Sequence, residues 1–480
     1  MINLKNLTIA KARKKLDNRE FSAVDLAEAY LKEIKKKNKE LNAYLEIYDD
    51  VLDQAKGADE IIAEGKSFPL LGIPLAVKDN ILIEGKKATS ASKILEGFIA
   101  PYDATVISKL KKQGAVFLGR ANMDEFAMGG STENSAFGVT KNPSDLTRVA
   151  GGSSGGSVAS VAGDLALGAL GSDTGGSVRE PAAFCGIVGL KPTYGAVSRY
   201  GLMALGSSLD CIGPIAKTVE DAEIIFKAIQ GYDSLDSTSI TEKTYPRKSA
   251  KNLLAQTGKL TIGVPWNLVN ADGIDSQIKN NFLEAVEKLK SFDYKVEDVS
   301  LPNIDLALAI YYIIMPAEAS SNLSRFDGIK YSLHVEGGKD LLGDYFATRG
   351  FGFGKEVRRR ILLGTYVLSS GYYEAYYVKA ERARNILKAE FNEAFEKFDL
   401  ILTPTTPIPA WKIGEKSDPL SVYLADIFTV TANIVGLPAI SLPSGFAKME
   451  GKNLPLGIQF MAPHAREDLL FEVGKKFLEE

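Results

Sequence analysis

Histidine and cysteine are both scarce in this chain of 480 residues. His334 and His464 are the only histidines, which leaves almost no material for a zinc site and requires a catalytic base of another residue type. The two cysteines, Cys185 and Cys211, form no C-x-x-C motif that would indicate zinc or a redox centre. Their small number also argues against a disulfide framework and for a reducing compartment.

Long apolar runs and an excess of charge are absent from the sequence as well. No stretch of about 18 apolar residues occurs, and the basic N-terminus lacks the apolar segment of a signal peptide. The formal net charge is −3, so the whole molecule has no electrostatic attraction for a polyanion or an anionic membrane surface. We therefore expect a cytoplasmic protein that binds no membrane and that contacts nucleic acid only through a local patch or a partner subunit.

The composition is that of a soluble enzyme with a large core, because 45% of the residues are hydrophobic and 24% are charged. Residues 1–65 are predicted to be helical, with a capping box at Ser22 and Asp25 and a helix that ends at the lysines 35–37. Residues 66–480 alternate between strand-like and helix-like segments, which predicts an α/β domain around a largely parallel or mixed sheet.

Individual elements of this domain are predicted from apolar runs and caps. LGIPLAVKD and AVFLGR read as buried strands, and a helix from Ala104 to Gln113, capped by Asp103, lies between them. A polar stretch from Tyr232 to Gly258 is predicted to be a surface connection. Further predicted elements are a strand in KLTIGVP, helices over 276–289 and 373–398, and buried strands in DLILTPTTP, GLPAISLPSG and LPLGIQFMAP.

The segment from Gly151 to Glu180 holds nine glycines and six serines. Valine, alanine and leucine are interleaved throughout, so the segment is not a flexible linker. We expect tightly packed backbone, with glycine at positions where a Cβ would collide. Two glycine turns that carry serines are separated by an apolar segment of strand length, and we predict that they meet at one edge of the sheet.

Three known motifs occur here in incomplete form. G-x-S-x-G is centred on Ser153 and again on Ser154, but a nucleophile elbow also needs a later acid and a histidine in a catalytic loop, for which there is no signal. The GKS at 65–67 lacks the glycine that a phosphate-binding loop has five positions earlier. The D-T-G at Asp173 has no second copy, so the aspartic-protease interpretation fails too.

The sequence GSDTGGS contains the best candidate for a nucleophile. A turn of Thr174, Gly175, Gly176 and Ser177 can aim successive backbone N–H groups at one point, as acyl-transfer sites do to hold an oxyanion. Ser177 is then the candidate nucleophile and these four residues the candidate oxyanion hole. The alternative is a glycine-rich turn that binds nothing.

Lys78 is the candidate base, because it closes the apolar segment GIPLAV, where an amine needs partners. Lowering the pKa of a lysine from about 10.4 to near 7 requires roughly 4 kcal/mol, which desolvation can supply. A serine between Lys78 and Ser177 would relay a proton inward and later out to the departing amine. A structural lysine at a strand end is the alternative interpretation.

These residues resemble the motifs of the amidase signature family. Lys78 in GIPLAVKD, Ser153 in GGSSGGS and Ser177 in GSDTGGS match its lysine, cis-serine and nucleophilic-serine motifs. The similarity runs the whole length, and NPSDLTRVAGGSSGGS, SSGYYEAYYVKA and GLPAISLP are most similar to the glutamine-hydrolysing subunits of tRNA-dependent amidotransferases. The resemblance implies the amidase signature fold, in which helices cover a central mixed β-sheet, with N-terminal helices.

The resemblance also implies a reaction and partners. Ser177 would attack the side-chain amide of glutamine, Ser153 would shuttle the proton and Lys78 would be the base. Ammonia would pass to a B subunit that activates glutamyl-tRNA(Gln) with ATP and magnesium, and a small C subunit would join the two. This chain would need no cofactor or metal, and the RNA would be held mainly by the B subunit. Whether the acceptor is glutamyl-tRNA or aspartyl-tRNA stays open.

A pocket for glutamine is implied as well. Its carboxylate calls for an arginine and its ammonium group for a carboxylate. By resemblance these are Arg359, within a run of three arginines whose inward-pointing member stays open, and Asp426. The other implied lining residues are Met128, Gly129, Gly130, Ser131, Tyr311 and Tyr312.

Two departures from the family pattern and two rival functions accompany this interpretation. Ala150 stands where proline is common, and Glu180 stands where glutamine is commoner, so Glu180 is expected to alter the charge near Ser177 and the pH optimum. A free-standing amidase for other carboxamides is the alternative enzyme. A non-catalytic assembly protein that keeps the fold is the alternative from another class.

Overall fold

The computed structural model describes residues 2–241, 243–244, 259–331, 333–337, 340–416 and 418–480. Residues 242 and 245–258 of the predicted polar connection therefore lie outside the described residues. The strands are β1 Tyr44–Ile47, β2 Pro74–Lys78, β3 Val116–Ala121, β4 Lys141–Asn142, β5 Asp145–Val149, β6 Gly168–Asp173, β7 Val188–Lys191, β8 Cys211–Ala216, β9 Thr261–Val264, β10 Lys295–Asp298, β11 Leu400–Pro404, β12 Ala439–Met449 and β13 Lys452–Met461.

One sheet of eleven strands forms the centre of the fold, in the order β1-β3-β2-β6-β8-β7-β12-β13-β11-β9-β10. The strands β3, β2 and β6 run parallel, and so do β11, β9 and β10. All other strand pairs described in this sheet, β1 with β3 and the neighbours from β6 through β8, β7, β12 and β13 to β11, are antiparallel. The predicted mixed sheet is therefore confirmed. The strands β4 and β5 form a separate two-stranded sheet.

Helices cover this sheet, and two large clusters of buried apolar side chains join the layers. The predicted helix over 276–289 and the strand predicted in KLTIGVP are confirmed. The α-helices are Ile9–Asp17, Ala23–Leu41, Val51–Ala63, Thr105–Lys112, Gly155–Ala162, Arg179–Cys185, Val219–Ile229, Trp266–Val269, Ser276–Ser291, Ala307–Asn322, Leu341–Gly352, Lys355–Val367, Lys379–Ala394, Pro419–Tyr423, Val430–Val435 and Glu467–Leu478.

The N-terminal region differs from the prediction in two respects. It is not entirely helical, because β1 lies within it and pairs with β3 at the edge of the main sheet. The capping box at Ser22 is confirmed, but its helix continues past the lysines 35–37 to Leu41. The helix ends there because Asn42 adopts a left-handed conformation, and Asn38 bonds to the backbone of Tyr44 in the turn that follows.

Three other predicted elements are corrected in detail. Asp103 does not cap the helix Thr105–Lys112, since its carboxylate accepts the backbone N–H of Glu84 and the Lys111 amine instead. The predicted helix over 373–398 begins with a π-helical turn at Glu374–Val378 before the α-helix Lys379–Ala394. The segment between the two glycine turns is a helix followed by β6, because its apolar residues are numerous enough for both elements.

One helical stretch, Ile304–Arg325, is long and apolar enough to cross a membrane by length and composition alone. Within the fold it belongs to the core, where Ile310 and Ile314 are buried. A Cβ at Gly364 would approach the carbonyl oxygen of Pro316 to 1.8 Å, which shows how closely a neighbouring helix packs on it. We therefore interpret the stretch as a core helix of the protein.

Candidate active site

Lys78 lies at the end of β2 and is completely buried. Its amine contacts the hydroxyl groups of Ser153 and Ser154 at 2.8 Å each, and the hydroxyl of Ser172 at 2.9 Å. Ser154 donates its own proton to the carbonyl of Ser172, at 3.1 Å, so that hydroxyl is committed. The hydroxyl of Ser153 therefore stays available to exchange a proton with Lys78.

Burial is the main reason why the pKa of Lys78 falls to about 7. The nearby carboxylates of Asp124, Asp173 and Asp210 act in the opposite direction but do not outweigh it. At neutral pH a large fraction of the Lys78 amine is consequently uncharged and has a lone pair. That is the property a general base requires, and it matches the pKa that the sequence argument demanded.

Ser153 is held by the backbone on both sides. The peptide bond between Gly152 and Ser153 is cis, and the Ser153 carbonyl accepts the N–H of Asp124 at 3.2 Å. The N–H of Ser154 donates to the carbonyl of Ser177 at 3.1 Å, so the two glycine turns are neighbours, as predicted. In the described part of the chain the Ser177 hydroxyl has no hydrogen-bond partner of its own, and Ser177 is 8% exposed.

The turn from Thr174 to Ser177 packs so closely that two of its residues must be glycine. A Cβ at Gly175 would lie 2.6 Å from the Tyr311 ring, and one at Gly176, where φ is +137°, would lie 2.3 Å from Thr429. The N–H of Gly176 donates to Asp173 at 2.9 Å and is not free. No acceptor in the described residues takes the N–H groups of Thr174, Gly175 and Ser177. Those three donors are the ones that an oxyanion could use.

A buried ion pair fixes this turn, and the sequence analysis did not find it. The Arg179 guanidinium donates to the Asp173 carboxylate at 2.9 and 3.0 Å, and both side chains are fully buried. Burial alone would raise the pKa of Asp173, but Arg179 holds it at about 2. Asn433 also donates to the same carboxylate. The available signal was an acid and an arginine six residues apart inside a glycine-rich apolar segment.

Asp124 is a second positioning residue that the sequence analysis missed. Its buried carboxylate accepts the N–H groups of Thr132 and Asn134, at 2.9 and 3.1 Å, and so shapes the loop that contains Gly129. Burial raises the pKa of Asp124 to about 6, although these hydrogen bonds and Lys78 oppose the shift. The predicted lining residues Met128, Gly129, Gly130 and Ser131 belong to this loop.

The predicted pocket residues come together on the far side of the glycine turn. The Tyr311 ring lies against Gly175, and the Tyr312 hydroxyl donates to Asp426 at 2.8 Å. Tyr312 also stacks on Tyr423, with ring centroids 4.1 Å apart. A cavity of about 240 Å³ adjoins this group; its lining includes Gly129, Ser131, Asn134, Glu356, Arg359, Arg360, Lys416, Val422 and Tyr423.

Of the three consecutive arginines, Arg360 is the one that points inward, which answers the open question, while the expectation that Arg359 binds the substrate stays a prediction. The Arg360 side chain is 5% exposed and lies over the rings of Tyr312 and Tyr423. The Arg359 side chain is 44% exposed and pairs with Glu356, although it still lines the cavity. The spacing in the sequence could have indicated which arginine is buried, because positions 357, 360, 364 and 367 share one helix face. In the structure all four of these residues are buried.

Comparison with known proteins agrees with this geometry. The family profile described as amidase matches residues 25–471. The chain belongs to the amidase family. The A subunit of glutamyl-tRNA(Gln) amidotransferase from Desulfatibacillum aliphaticivorans is 50% identical over 477 residues, which cover 99% of this chain and 97% of that protein. The protein of the same name from Ruminiclostridium cellulolyticum is 51% identical over 478 residues, with the same coverage of both chains.

A solved amidase structure also matches along the whole length. The crystal structure of the glutamyl-tRNA(Gln) amidotransferase A subunit from Thermotoga maritima superimposes with a TM-score of 0.77 and 42% identity, covering 99% of this chain and 94% of that one. The similarity therefore extends beyond the site to the whole architecture of this amidase.

Among the described residues of this chain, no group of three or more His, Cys, Asp or Glu side chains is arranged to hold a metal ion.

Proposed function

We propose that this amidase is the glutaminase subunit of a tRNA-dependent amidotransferase. The observation that carries the proposal is a fully buried lysine with a pKa of about 7, in contact with two serines of one glycine turn. A full-length relative at 50% identity bears the name of the A subunit of glutamyl-tRNA(Gln) amidotransferase. Together they support glutamine as the amide substrate and a partner as the recipient of its nitrogen.

In the proposed mechanism, uncharged Lys78 takes a proton from Ser153, which takes one from Ser177. The Ser177 oxygen attacks the carboxamide carbon of glutamine, and the N–H groups of Thr174, Gly175 and Ser177 hold the negative oxygen of the tetrahedral intermediate. The proton then returns through Ser153 to the leaving nitrogen, and ammonia departs. Water releases glutamate from the acyl-enzyme by the same relay, so the three side chains are regenerated.

The proposed partners follow from the fate of the ammonia. A B subunit would use ATP and magnesium to activate glutamyl-tRNA(Gln), a C subunit would join the two proteins, and the assembly would act in the cytoplasm. This chain would contribute no cofactor. Its net charge of −3 supports an arrangement in which the B subunit holds most of the RNA.

The assembled complex tests this proposal in one experiment with two nitrogen sources. Ser177→Ala should abolish glutamine hydrolysis and glutamine-dependent amidation of glutamyl-tRNA, while added ammonium chloride still supports amidation by the partner. Ser160→Ala is the matched control, since Ser160 is a buried serine whose hydroxyl donates to the carbonyl of Ser157, away from the site. Undiminished glutamine turnover in Ser177→Ala would refute the assignment.

A free-standing amidase is the second candidate function, and substrate preference decides between them. Activity of the isolated chain on simple aryl amides, exceeding its activity on glutamine both with and without the partners, would favour the free-standing enzyme. Aspartyl-tRNA and glutamyl-tRNA offered to the same complex would identify the acceptor.

A further inference from the structure

Glu180 is a buried acid for which the mechanism above has no use. It lies in the first turn of the helix Arg179–Cys185, one turn beyond Ser177, and it is completely buried. One carboxyl oxygen, Oε2, accepts the N–H of Gly152 at 3.1 Å, in the turn that carries Ser153. The other oxygen, Oε1, has no hydrogen-bond partner among the described residues.

The unpartnered oxygen faces the loop that lines the pocket. A Cβ built at Gly130 would lie 3.5 Å from Oε1 of Glu180 and 3.7 Å from Val422, a residue of the cavity wall. Because Gly130 has no side chain, the carboxyl group approaches the pocket closely at this point. Whether Glu180 is ionised or protonated, Oε1 needs a donor or an acceptor that the described chain does not provide.

The surroundings of Oε1 select a positive ligand rather than a neutral one. Asp426 and Asp124 contribute negative potential at Glu180, and Lys416 is the cation that opposes them. The Lys416 amine donates to the carbonyl of Ser421 at 2.9 Å and lies 4.8 Å from the Trp411 ring centroid, and it forms no hydrogen bond with Oε1 of Glu180. Two acidic groups and one cation thus act on Glu180, and its Oε1 has no hydrogen-bond partner among the described residues.

We infer that Glu180, together with Asp426, binds the ammonium group of an amino-acid carboxamide. The ammonium group has three donors, so it can satisfy Oε1 of Glu180 and the Asp426 carboxylate at once. The inference rests on the proposed function, because it names the part of glutamine that the pocket selects. Glu180 is in this account a specificity-determining residue. Its Oε1 binds the ammonium group on the α-carbon, and its Oε2 accepts the Gly152 N–H in the turn that holds Ser153.

The protonation of the two acids supplies an independent readout. Burial and the charge of Asp426 raise the pKa of Glu180 well above its ordinary value, and burial raises the pKa of Asp426 to about 7. An ammonium group beside them favours their ionised forms, so binding releases protons and KM for glutamine falls as pH rises from about 6 to about 8. The charged and titratable groups that interact with this pair are Asp124, Lys416, Cys185, Tyr312, Arg360, Asp173 and Arg179.

The test compares glutamine with 4-carbamoylbutanoate, the same carboxamide without the amino group, in the assembled complex. Glu180→Gln keeps an oxygen for the Gly152 N–H and fits the same space. It should raise KM for glutamine about 10- to 100-fold, with kcat within about threefold, and leave kcat/KM for 4-carbamoylbutanoate within about threefold. The fall of KM between about pH 6 and pH 8 should shrink in the same variant.

Two further variants complete the design. Glu467→Gln is the matched control, because Glu467 is also a buried acid whose carboxylate accepts a backbone N–H, that of Thr193 at 2.9 Å, and neither residue lines the cavity. The double variant Asp426→Asn with Glu180→Gln should raise KM for glutamine by less than the product of the two single-variant increases, since both groups bind one ammonium ion.

Equal losses on both substrates would overturn the inference in favour of a structural role for Glu180, and unchanged kinetics on glutamine would overturn it too. Failure of the wild-type complex to hydrolyse glutamine would instead refute the proposed function.

Discussion

Replacing Lys78 by methionine should change both the activity and the pH dependence of stability. The unfolded chain keeps a lysine pKa of about 10.4, whereas burial lowers the folded value to about 7. Between these values the unfolded state binds one more proton than the folded state, so wild-type stability rises with pH by up to about 1.4 kcal/mol per unit. From about pH 7 to pH 9 this contribution amounts to roughly 2 kcal/mol. Lys78→Met lacks it.

Urea unfolding of the two proteins at several pH values measures this difference, because titrating groups that do not interact with Lys78 cancel between them. The same variant should lose glutamine hydrolysis by about 1000-fold or more, since no other described group contacts the Ser153 hydroxyl as a base. Lys191→Met is the matched control: Lys191 is also buried, burial lowers its pKa, and its amine bonds to the carbonyl of Pro192. That variant should also lose a pH-dependent contribution to stability of the same sign, but it should keep the activity. Stability curves of wild type and Lys78→Met that run parallel over this pH range would refute the reasoning.

Two other substitutions test the supports of the site. Asp173→Asn leaves Arg179 as an uncompensated buried charge and should lower the free energy of unfolding by about 3–5 kcal/mol in urea titrations; a loss below about 1 kcal/mol would contradict the role given to the ion pair. Arg360→Gln should raise KM for glutamine about tenfold or more, and Arg359→Gln less than about threefold, because Arg360 is the buried member of the run. The reverse order in steady-state kinetics would identify Arg359 as the substrate arginine.

The parts of the fold that the sequence predicts are those with a local signal. β2 follows from an apolar run bounded by glycine and aspartate, and the helix Ala23–Leu41 begins at a complete capping box. β1 has only four residues and lies at the sheet edge, so its pairing with β3 depends on tertiary contacts that no local pattern encodes. The end of a helix was likewise misplaced where Asn38 and Asn42 outweigh the lysine pattern.

For the site, the sequence predicts reactive residue types better than their partners. Lys78 is conspicuous because a lysine closes an apolar strand, and Ser177 because it follows two glycines. The Asp173–Arg179 pair depends on how the turn folds back, and the engagement of the Gly176 N–H with Asp173 follows from that same turn. Such contacts form only once the whole segment is packed.

The central claim is that uncharged Lys78 activates Ser177 through Ser153. The most direct measurement is the rate at which a sulfonyl fluoride modifies Ser177, followed by peptide mass mapping across about pH 5 to 9 in the assembled complex. The account predicts a rate that rises with one ionisation near pH 7 and then levels off, and that is lost in Lys78→Met. Modification of Ser177 at the same rate in Lys78→Met, or without a step near pH 7, would contradict it.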